Sequence, residues 1–262
     1  MTRLLPPPTV PRRFDVLGVH VSAIDLDLAV RQLAHWIEHR EAHYICVTGV
    51  HGVMESQSSE ALRTIHNRAG MVTPDGMPLV WLGRLAGFRG MDRVYGPDLM
   101  LRVCEASVAR RWRHFFFGGA DGVAERLRDR LAQRFPGLLV ADTFTPPFRA
   151  MTDDEDAALI ERINASEADI VWVGLSTPKQ ERWMAAHLGR LHAPIMVGVG
   201  AAFDFHAGLK QQAPRWMQRA GLEWAFRLAT EPRRLGRRYL RNNPRFLARI
   251  AAQLLTRGLP RR

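Results

Sequence analysis

Hydrophobic and polar positions along the chain form blocks that predict strands followed by helices. Continuous apolar runs at 44–48, 169–173 and 195–199 predict buried strands, and a glycine follows each run. Segments of about ten to fifteen residues with apolar positions at helical spacing separate these runs. Because strands and helices alternate, we expect an α/β fold with a mostly parallel sheet that helices cover on both faces.

The remaining blocks predict the other elements of the body. Strands are expected at 71–72, 114–117 and 138–141, and helices at 51–68, 97–110, 152–163, 178–188 and from a glycine loop at 118–122 to about 135. Either Asp25 or Asp27 can cap an earlier helix, and Thr152 is the expected cap of its helix.

The stretch from residue 73 to residue 99 places an acidic turn directly after a short apolar run. Pro74-Asp75-Gly76 is a turn signature, and a helical apolar pattern follows it. We therefore expect Asp75 on a loop at the carboxyl end of a strand, the edge of an open α/β sheet where ligands bind. The spacing is equally consistent with a simple helix cap, because Asx turns and caps are common.

After residue 208 the alternation of predicted strands and helices ends, and the apolar positions follow helical spacing only. A helical stripe runs through Met217, Gly221 and Trp224, Pro232 interrupts it, and Pro244 is expected to open a last helix. That helix carries apolar residues on one side and arginines on the other, which is typical of helices in a membrane interface. A surface helix docked on the body has the same pattern, so both interpretations stay open.

The net formal charge of +11 is carried entirely by the end of the chain. Residues 209–262 hold fourteen basic residues against Glu223 and Glu231, whereas the first 208 residues hold 23 basic and 24 acidic residues. This asymmetry points to an anionic partner such as phospholipid, polyphosphate or nucleic acid. Arginine dominates the excess, which favours bidentate recognition of phosphate, although a genome rich in arginine codons produces the same composition.

A glycine loop follows the predicted strand at 114–117. Gly118 and Gly119 precede a helix, and backbone amides at such a position can hold a phosphate. The loop lacks the full GxGxxG spacing, so a tight turn is the favoured explanation of its glycines. A dinucleotide-dependent oxidoreductase is disfavoured for the same reason.

A second candidate loop follows the strand at 169–173. Lys179, one of only two lysines, precedes Gln180 and Glu181 near a helix start, where a lysine does not complement the helix dipole. That placement favours a ligand contact, and Gln180 offers donor and acceptor groups for a sugar or a base edge. Gly200, after the next strand, allows a ligand to approach the backbone.

Several classes of protein are excluded by what the sequence lacks. Cys46 and Cys104 lie in apolar runs, which argues against a disulfide framework or a cysteine-rich zinc site and fits a reducing compartment. No apolar run approaches the roughly 18 residues of a spanning helix, and the proline-rich start is not a signal peptide. Asp25-Leu26-Asp27 has the form of a manganese-binding acidic pair, but capping explains it better, and we expect no metal site. We find no nucleophile elbow and no Walker loop.

Five ordered motifs together resemble the WecG/TagA/CpsF family of bacterial glycosyltransferases, over about residues 14–239. In chain order they are TPDGMPLVW, RVYGPDL, FFFGG, VGLSTPKQERWM and GVGAAFDFHAG. The resemblance implies a Rossmann-like core with a basic C-terminal appendage. It also implies inverting, metal-independent transfer of a sugar from a UDP-sugar to a polyprenyl-diphosphate-linked acceptor at the cytoplasmic face of the membrane.

The same resemblance assigns roles to residues in the body. Asp75 matches the family's proposed catalytic base, which takes the proton of the acceptor hydroxyl. Arg93 matches an arginine that steadies the departing diphosphate, where negative charge grows in the transition state. Thr48 and Gln180 match positions that contact substrate.

Two places in the motif comparison leave alternatives open. Many relatives have Thr-x-Asn after the first strand, but here the third residue is Val50, followed by His51. Either His51 replaces the contact of the asparagine or the donor specificity differs. Arginines of the appendage match positions near the diphosphate, and Arg238 is a rival to one of them if the alignment slips by one. The predicted substrate-binding set is Thr48, His51, Gly118, Gly119, Lys179, Gln180, Glu181, Gly200, Arg227, Arg234 and Arg237.

We therefore divide the chain into a flexible proline-rich arm at 1–13, a Rossmann-like catalytic domain at 14–208 and a basic helical membrane-associating appendage at 209–262. The expected protein is a UDP-sugar-dependent hexosyltransferase of exopolysaccharide or cell-surface polysaccharide synthesis, peripheral to the bacterial inner membrane. It needs no cofactor and binds no nucleic acid, and a homo-oligomer is compatible with the sequence. The alternative is a nucleic-acid-binding Rossmann-like module with a basic Arg/Trp tail, and saturable protection by UDP against thermal unfolding separates the two.

Overall fold

A computed structural model describes residues 11–258 of the chain. The strands within this part are β1 (Arg13–Val16), β2 (Val19–Ser22), β3 (His43–Thr48), β4 (Met71–Pro74), β5 (Arg113–Gly118), β6 (Leu139–Phe144), β7 (Ile170–Gly174) and β8 (Ile195–Gly198). Strands β1 and β2 form an antiparallel hairpin. The other six form one sheet in the order β4-β3-β8-β7-β5-β6, and every neighbouring pair is parallel.

Helices connect these strands and continue beyond the last one. They are α1 (Leu26–Glu38), α2 (Val50–Ser56), α3 (Glu60–Arg68), α4 (Met77–Leu85), α5 (Gly96–Arg110), α6 (Val123–Arg134), α7 (Asp153–Ala165), α8 (Lys179–His187), α9 (Ala202–His206), α10 (Arg215–Arg219), α11 (Glu223–Thr230) and α12 (Pro232–Arg257). No helix within residues 11–258 combines the length and the apolar character needed to cross a bilayer.

Hydrophobic cores lie on both faces of the parallel sheet. Successive strand residues point to opposite faces, so Phe116 and Trp172 join a core with helices α1, α5, α6 and α9. Phe115 and Val173 join a second core, which contains the hairpin and residues of helices α2, α4, α7, α8 and α12. Because helices cover both faces, the predicted α/β class with a Rossmann-like sheet is confirmed.

Local capping signals in the sequence formed as predicted at two helices. Asp25 caps α1, with its Oδ1 accepting the Leu28 amide proton at 2.7 Å. Thr152 and Glu155 form a reciprocal capping box at the start of α7, with distances of 3.2 and 2.9 Å. Each side chain satisfies a backbone donor that the first turn of a helix leaves without a partner.

Two features near the start of the chain differ from the prediction. The helix expected over 51–68 is two helices, because Ser59 caps α3 by accepting the Leu62 amide proton at 3.2 Å. The hairpin was not predicted, although Leu17 and Gly18 supply the positive φ angles, 54° and 83°, that a tight two-residue turn requires. Residues 1–10 of the predicted arm lie outside the described residues, and Arg13 already belongs to β1.

The end of the chain also differs in its division into helices. The predicted stripe through Met217, Gly221 and Trp224 is interrupted, because Gly221 adopts a φ of 72° between α10 and α11. The expectation that Pro244 opens a helix is wrong, since Pro244 lies inside α12. The packed face of α12 continues across this proline, with Asn242 and Phe246 buried on either side of it.

Helix α12 docks on the body of the protein. Phe246 and Ile250 are buried in the core that contains the β1–β2 hairpin. Gln253 ties the helix to that hairpin, because its Oε1 accepts the Leu17 amide proton at 2.9 Å and its Nε2 donates to the Asp15 carboxylate at 3.1 Å. The opposite side of the helix remains exposed, so α12 is both a docked helix and an amphipathic one.

Candidate active site

A cavity of about 680 Å³ opens at the carboxyl ends of the parallel strands. Residues that follow β4, β3, β7 and β8 form its floor, helix α4 forms one wall, and helices α11 and α12 close over it. The predicted site residues that line it are Asp75, Arg93, His51, Gln180, Gly200, Arg227 and Arg234. The structure therefore brings Asp75 and the loop of Gln180 together in one cavity, at the edge of the sheet where the sequence placed them.

The Asp75 carboxylate is held on one side and open on the other. Its backbone amide donates to the Thr48 carbonyl at 3.0 Å, and its Oδ1 accepts the Gly96 amide proton at 3.1 Å. Oδ2 lies 3.6 Å from the position that a Cβ would occupy at Gly49, which also lines the cavity. One carboxylate oxygen is thus oriented at the start of α5, and the other faces a wall without a side chain.

The surroundings of Asp75 raise its pKa above the ordinary aspartate value. Burial is the main cause, the charge of Glu223 adds to it, and Arg93, Arg227 and the Gly96 amide oppose it. A carboxylate with a raised pKa is a stronger base than an exposed one, provided that the working pH still ionises it.

Arg93 is fixed by four groups around its guanidinium. Its Nε donates to the Asp75 carbonyl, its Nη2 donates to the Glu223 carboxylate, and its Nη1 donates to the Gln218 side-chain oxygen at 3.2 Å. The guanidinium carbon also lies 3.9 Å from the centroid of the Tyr95 ring. Burial acts to lower the Arg93 pKa, but the carboxylates of Asp75 and Glu223 outweigh it and raise that pKa.

Three arginines of the appendage line the cavity. Arg227 and Arg238 each have a buried Nε without a hydrogen-bond partner among residues 11–258. Arg234 pairs with Glu231, with a nitrogen–oxygen distance of 2.5 Å, and also lines the cavity. Arg237 is exposed and does not line it, whereas its neighbour Arg238 does. The geometry therefore favours Arg238 over Arg237 as the candidate diphosphate contact, and the contact itself stays a prediction.

His51 joins the start of α2 to the appendage. Its Nδ1 accepts a hydrogen bond from the Asn242 side-chain amide of α12 at 3.2 Å. Burial lowers the pKa of His51 to about 4, and the charge of Arg238 contributes to the same direction. The imidazole is therefore neutral near pH 7, so it can offer hydrogen bonds to a ligand in the cavity but no charge.

The other predicted substrate contacts lie outside the lining of the cavity. Thr48 is buried beneath it and donates to the Cys46 carbonyl at 3.2 Å. Lys179 is exposed, and Glu181 is buried behind Gln180.

The glycines of the predicted phosphate loop also lie outside the cavity lining. A Cβ at Gly118 would lie 2.7 Å from the Gly174 carbonyl carbon, and a Cβ at Gly119 would lie 3.0 Å from the Val123 Cβ. Their φ angles are 123° and 81°, which glycine adopts without strain. Close packing of a tight turn therefore explains both residues.

One wall of the cavity is apolar and continues onto the protein surface. Trp81 and Leu85 of α4, Trp224 of α11 and Leu247 of α12 line the cavity and keep between 42% and 68% of their surface exposed. Such contiguous exposed apolar surface beside a polar site is typical of a contact with lipid or with another protein.

Sequence reasoning missed three residues that shape the site. Glu223, Gln218 and Tyr95 all surround Arg93, and all three line the cavity. One signal was available for Glu223, since it is one of only two acidic residues in the basic tail. Among residues 11–258, no group of three histidine, cysteine, aspartate or glutamate side chains is arranged to hold a metal ion.

Comparison with known proteins finds a matching family and similar curated enzymes. A family model described as "Glycosyl transferase WecG/TagA/CpsF family" matches residues 14–259. Two curated relatives are the N-acetylglucosaminyldiphosphoundecaprenol N-acetyl-beta-D-mannosaminyltransferases of Staphylococcus aureus strains NCTC 8325 / PS 47 and COL. Each is 25% identical over 241 residues, which cover 91% of this chain and 92% of the relative.

Proposed function

The chain belongs to the WecG/TagA/CpsF family of glycosyl transferases, and from this premise we propose that it moves a sugar from a UDP-sugar to a polyprenyl-diphosphate-linked saccharide. The printed activity of the Staphylococcus aureus relatives supports an acceptor of this class. One observation carries the proposal: a single cavity is lined by the partly buried carboxylate of Asp75, by Glu223, which pairs with Arg93, and by the four arginines Arg93, Arg227, Arg234 and Arg238.

In this proposal Asp75 is the general base. The acceptor hydroxyl gives its proton to the Asp75 carboxylate as its oxygen bonds to the anomeric carbon of the donor sugar, from the face opposite the diphosphate. The bond between that carbon and the diphosphate oxygen breaks, and UDP leaves with the electron pair. The raised pKa of Asp75 supports this role, because it makes the carboxylate a better proton acceptor.

The arginines stabilise the departing diphosphate. Negative charge builds up on the leaving oxygen in the transition state, and guanidinium groups already in position stabilise it without reorganisation. The side-chain nitrogens of Arg227 and Arg238 that lack a partner among residues 11–258 support a bound anion at this point. We propose that no metal ion is required, because the arginines supply the positive charge that a metal supplies in other transferases.

The apolar wall and the outer face of α12 fit a location at a membrane surface. The exposed side chains of Trp81, Leu85 and Leu247 lie beside the cavity, so a polyprenyl chain can leave the polar site directly into lipid. Arginines on the outer face of α12 complement anionic headgroups. We propose a peripheral enzyme at the cytoplasmic face of the bacterial inner membrane, acting in surface polysaccharide synthesis.

The test is transfer from a panel of UDP-sugars to a polyprenyl-diphosphate-linked N-acetylglucosamine, with Asp75→Asn as the variant. We expect that variant to lose about 10²- to 10⁴-fold in kcat, the usual contribution of a general base. Its Tm at pH 7 should not fall, because the folded-state pKa of Asp75 is raised and ionisation therefore costs stability above that pKa.

Asp98→Asn is the matched control. Asp98 pairs with the exposed Arg215 at 2.9 Å and does not line the cavity, so its loss should leave kcat unchanged. Turnover by Asp75→Asn at the rate of the control would refute the assignment of the base. Absence of transfer from every UDP-sugar would refute the donor class.

A further inference from the structure

Gln180 lines the cavity and carries one buried polar atom without a hydrogen-bond partner among residues 11–258. The residue is only 3% exposed, and its Nε2 donates to the Glu181 carboxylate at 3.2 Å. Its Oε1 is buried and has no hydrogen-bond partner among residues 11–258. A buried amide oxygen without a partner costs free energy, so a ligand that donates to it binds more tightly than one that cannot.

Glu181 determines which end of the Gln180 amide faces the cavity. It is 1% exposed, and the oxygen that accepts from Gln180 also accepts the Thr177 hydroxyl proton at 2.7 Å. This oxygen is an acceptor, so the opposite orientation of Gln180 would place two acceptors against each other. The NH₂ group therefore faces Glu181, and the oxygen remains for a ligand.

Two glycines leave the space that this arrangement needs. A Cβ at Gly198 would lie 3.0 Å from the Gln180 Nε2, which is closer than nearly all real contacts of a Cβ. A Cβ at Gly200 would lie 3.5 Å from the Gln180 Oε1, and Gly200 lines the cavity. The oxygen thus lies beside a part of the cavity wall that has no side chain.

We propose that Glu181 is a positioning residue that fixes Gln180 as the hydrogen-bond acceptor for the imide N–H of a uracil base. This inference rests on the proposed use of a UDP-sugar. Gln180 follows β7, and Asp75 follows β4, with β8 and β3 between them. Neighbouring strands are about 4.8 Å apart, so the ends of β7 and β4, three intervals apart, lie about 14 Å from each other along the rim. That span suits a nucleotide with its reacting sugar carbon at Asp75 and its base at Gln180.

The chemistry of the base gives a selective readout. Uracil carries a hydrogen on N3, whereas cytosine presents a bare N3 acceptor at the same place. UDP and CDP share the ribose and the diphosphate, so the arginines cannot distinguish them. An acceptor fixed at Gln180 favours UDP, and an amide that is free to rotate accommodates both.

The experiment measures the dissociation constants of UDP, CDP and 2′-deoxy-UDP by calorimetry for the full chain and three variants. For the wild type we expect UDP to bind about tenfold to a hundredfold more tightly than CDP, and 2′-deoxy-UDP to bind nearly as well as UDP. Gln180→Leu should bring the UDP/CDP ratio close to one. Glu181→Met should do the same, because the amide of Gln180 is then free to turn.

Glu181→Gln is the matched control. Its side-chain oxygen can still accept from Thr177 and Gln180, so the wild-type ratio should return. A purely structural role for Glu181 would weaken UDP and CDP together and leave their ratio unchanged, and this outcome overturns the proposal.

Two further outcomes are also decisive. Equal binding of UDP and CDP, together with weak binding of 2′-deoxy-UDP, would assign the contact to a ribose hydroxyl and overturn the uracil assignment. If Glu181→Met fails to fold, the other two variants still decide. A UDP/CDP ratio that is unchanged in Gln180→Leu overturns the proposal. A ratio that is lost in Gln180→Leu and retained in Glu181→Gln supports it. Failure of the wild type to bind either nucleotide would refute the proposed donor itself, whereas an unchanged ratio in variants that bind UDP refutes only the role of Glu181.

Discussion

Replacing Glu223 by glutamine should extend activity to lower pH, and replacing Arg93 by methionine should restrict activity to higher pH. Burial raises the pKa of Asp75, the charge of Arg93 opposes that rise, and the charge of Glu223 adds to it. A general base works only when it is ionised, so kcat/KM falls as the pH drops through this pKa. Loss of the negative charge of Glu223 lowers the pKa of Asp75, and loss of the positive charge of Arg93 raises it. The acidic limb of the pH profile of kcat/KM must therefore move to lower pH in Glu223→Gln and to higher pH in Arg93→Met.

The same ion pair also contributes to stability. The side chains of Arg93 and Glu223 are 13% and 15% exposed, so the pair is largely removed from water. Breaking a fully buried pair costs about 3–5 kcal/mol. Because Arg93 keeps its bonds to the Asp75 carbonyl and to Gln218, we expect a loss of about 1–3 kcal/mol for Glu223→Gln. At roughly 2–4 °C per kcal/mol for a chain of this size, the Tm should fall by about 2–12 °C.

The assay is the pH profile of kcat/KM for each variant, together with its melting curve. Glu231→Gln is the matched control, because Glu231 is the other acid of the tail, pairs with Lys210, Arg227 and Arg234, and unlike Glu223 is not among the charges that shift the pKa of Asp75. Its acidic limb should coincide with that of the wild type. Limbs that move in the same direction in Arg93→Met and Glu223→Gln would refute the assignment of that limb to Asp75. A shift in the control as large as that in Glu223→Gln would refute it as well.

Two further pairs of variants compare neighbouring residues of α12. Arg238→Met should lower kcat/KM about 10- to 100-fold, because a charge-assisted contact to the diphosphate is lost, whereas Arg237→Met on the exposed face should stay within about twofold. Steady-state kinetics at fixed salt checks this, and equal losses would contradict the geometry. Phe246→Ala should lose about 3–5 kcal/mol and lower the Tm by about 6–20 °C, because Phe246 is buried in the core. Leu247→Ala should leave the Tm unchanged and weaken sedimentation with anionic vesicles, since Leu247 is 68% exposed; the opposite pattern would contradict the docking of α12.

The sequence predicted the parallel sheet because its strands are continuous apolar runs, a signal that does not depend on the rest of the fold. It did not predict the β1–β2 hairpin, although apolar residues alternate at Phe14, Val16, Val19 and Val21 across a Leu-Gly turn. Each of these strands has four residues, which is the lower limit of the length over which alternation is distinctive. Pro244 was misread for a different reason: the packing of α12 on the body outweighs the preference of proline for a helix start.

The site was predictable only where a local turn positions the side chain. Asp75 follows a strand end directly, so its place on the rim could be read from its turn. The choice between Arg237 and Arg238 could not, because consecutive helix positions differ by about 100° and the direction of α12 depends on how Phe246 and Ile250 pack. The contact between Arg93 and Glu223 joins residues 130 positions apart, which no local pattern reports.

The two acids of the basic tail both pair with arginines that line the cavity. Glu223 pairs with Arg93 of the body, and Glu231 pairs with Lys210 and Arg234, so neither acid faces the outer surface of α12. The lining of the cavity combines four arginines with two carboxylates, so a positive excess remains; these groups are Arg93, Arg227, Arg234, Arg238, Asp75 and Glu223. In the proposed mechanism this excess attracts the diphosphate, while burial and, to a smaller extent, the charge of Glu223 raise the pKa of Asp75 against the arginines that lower it. Without Glu223, the same arginines would still bind the leaving group but would lower the pKa of the proposed base further, so we expect Glu223, and not Glu231, to affect the chemistry.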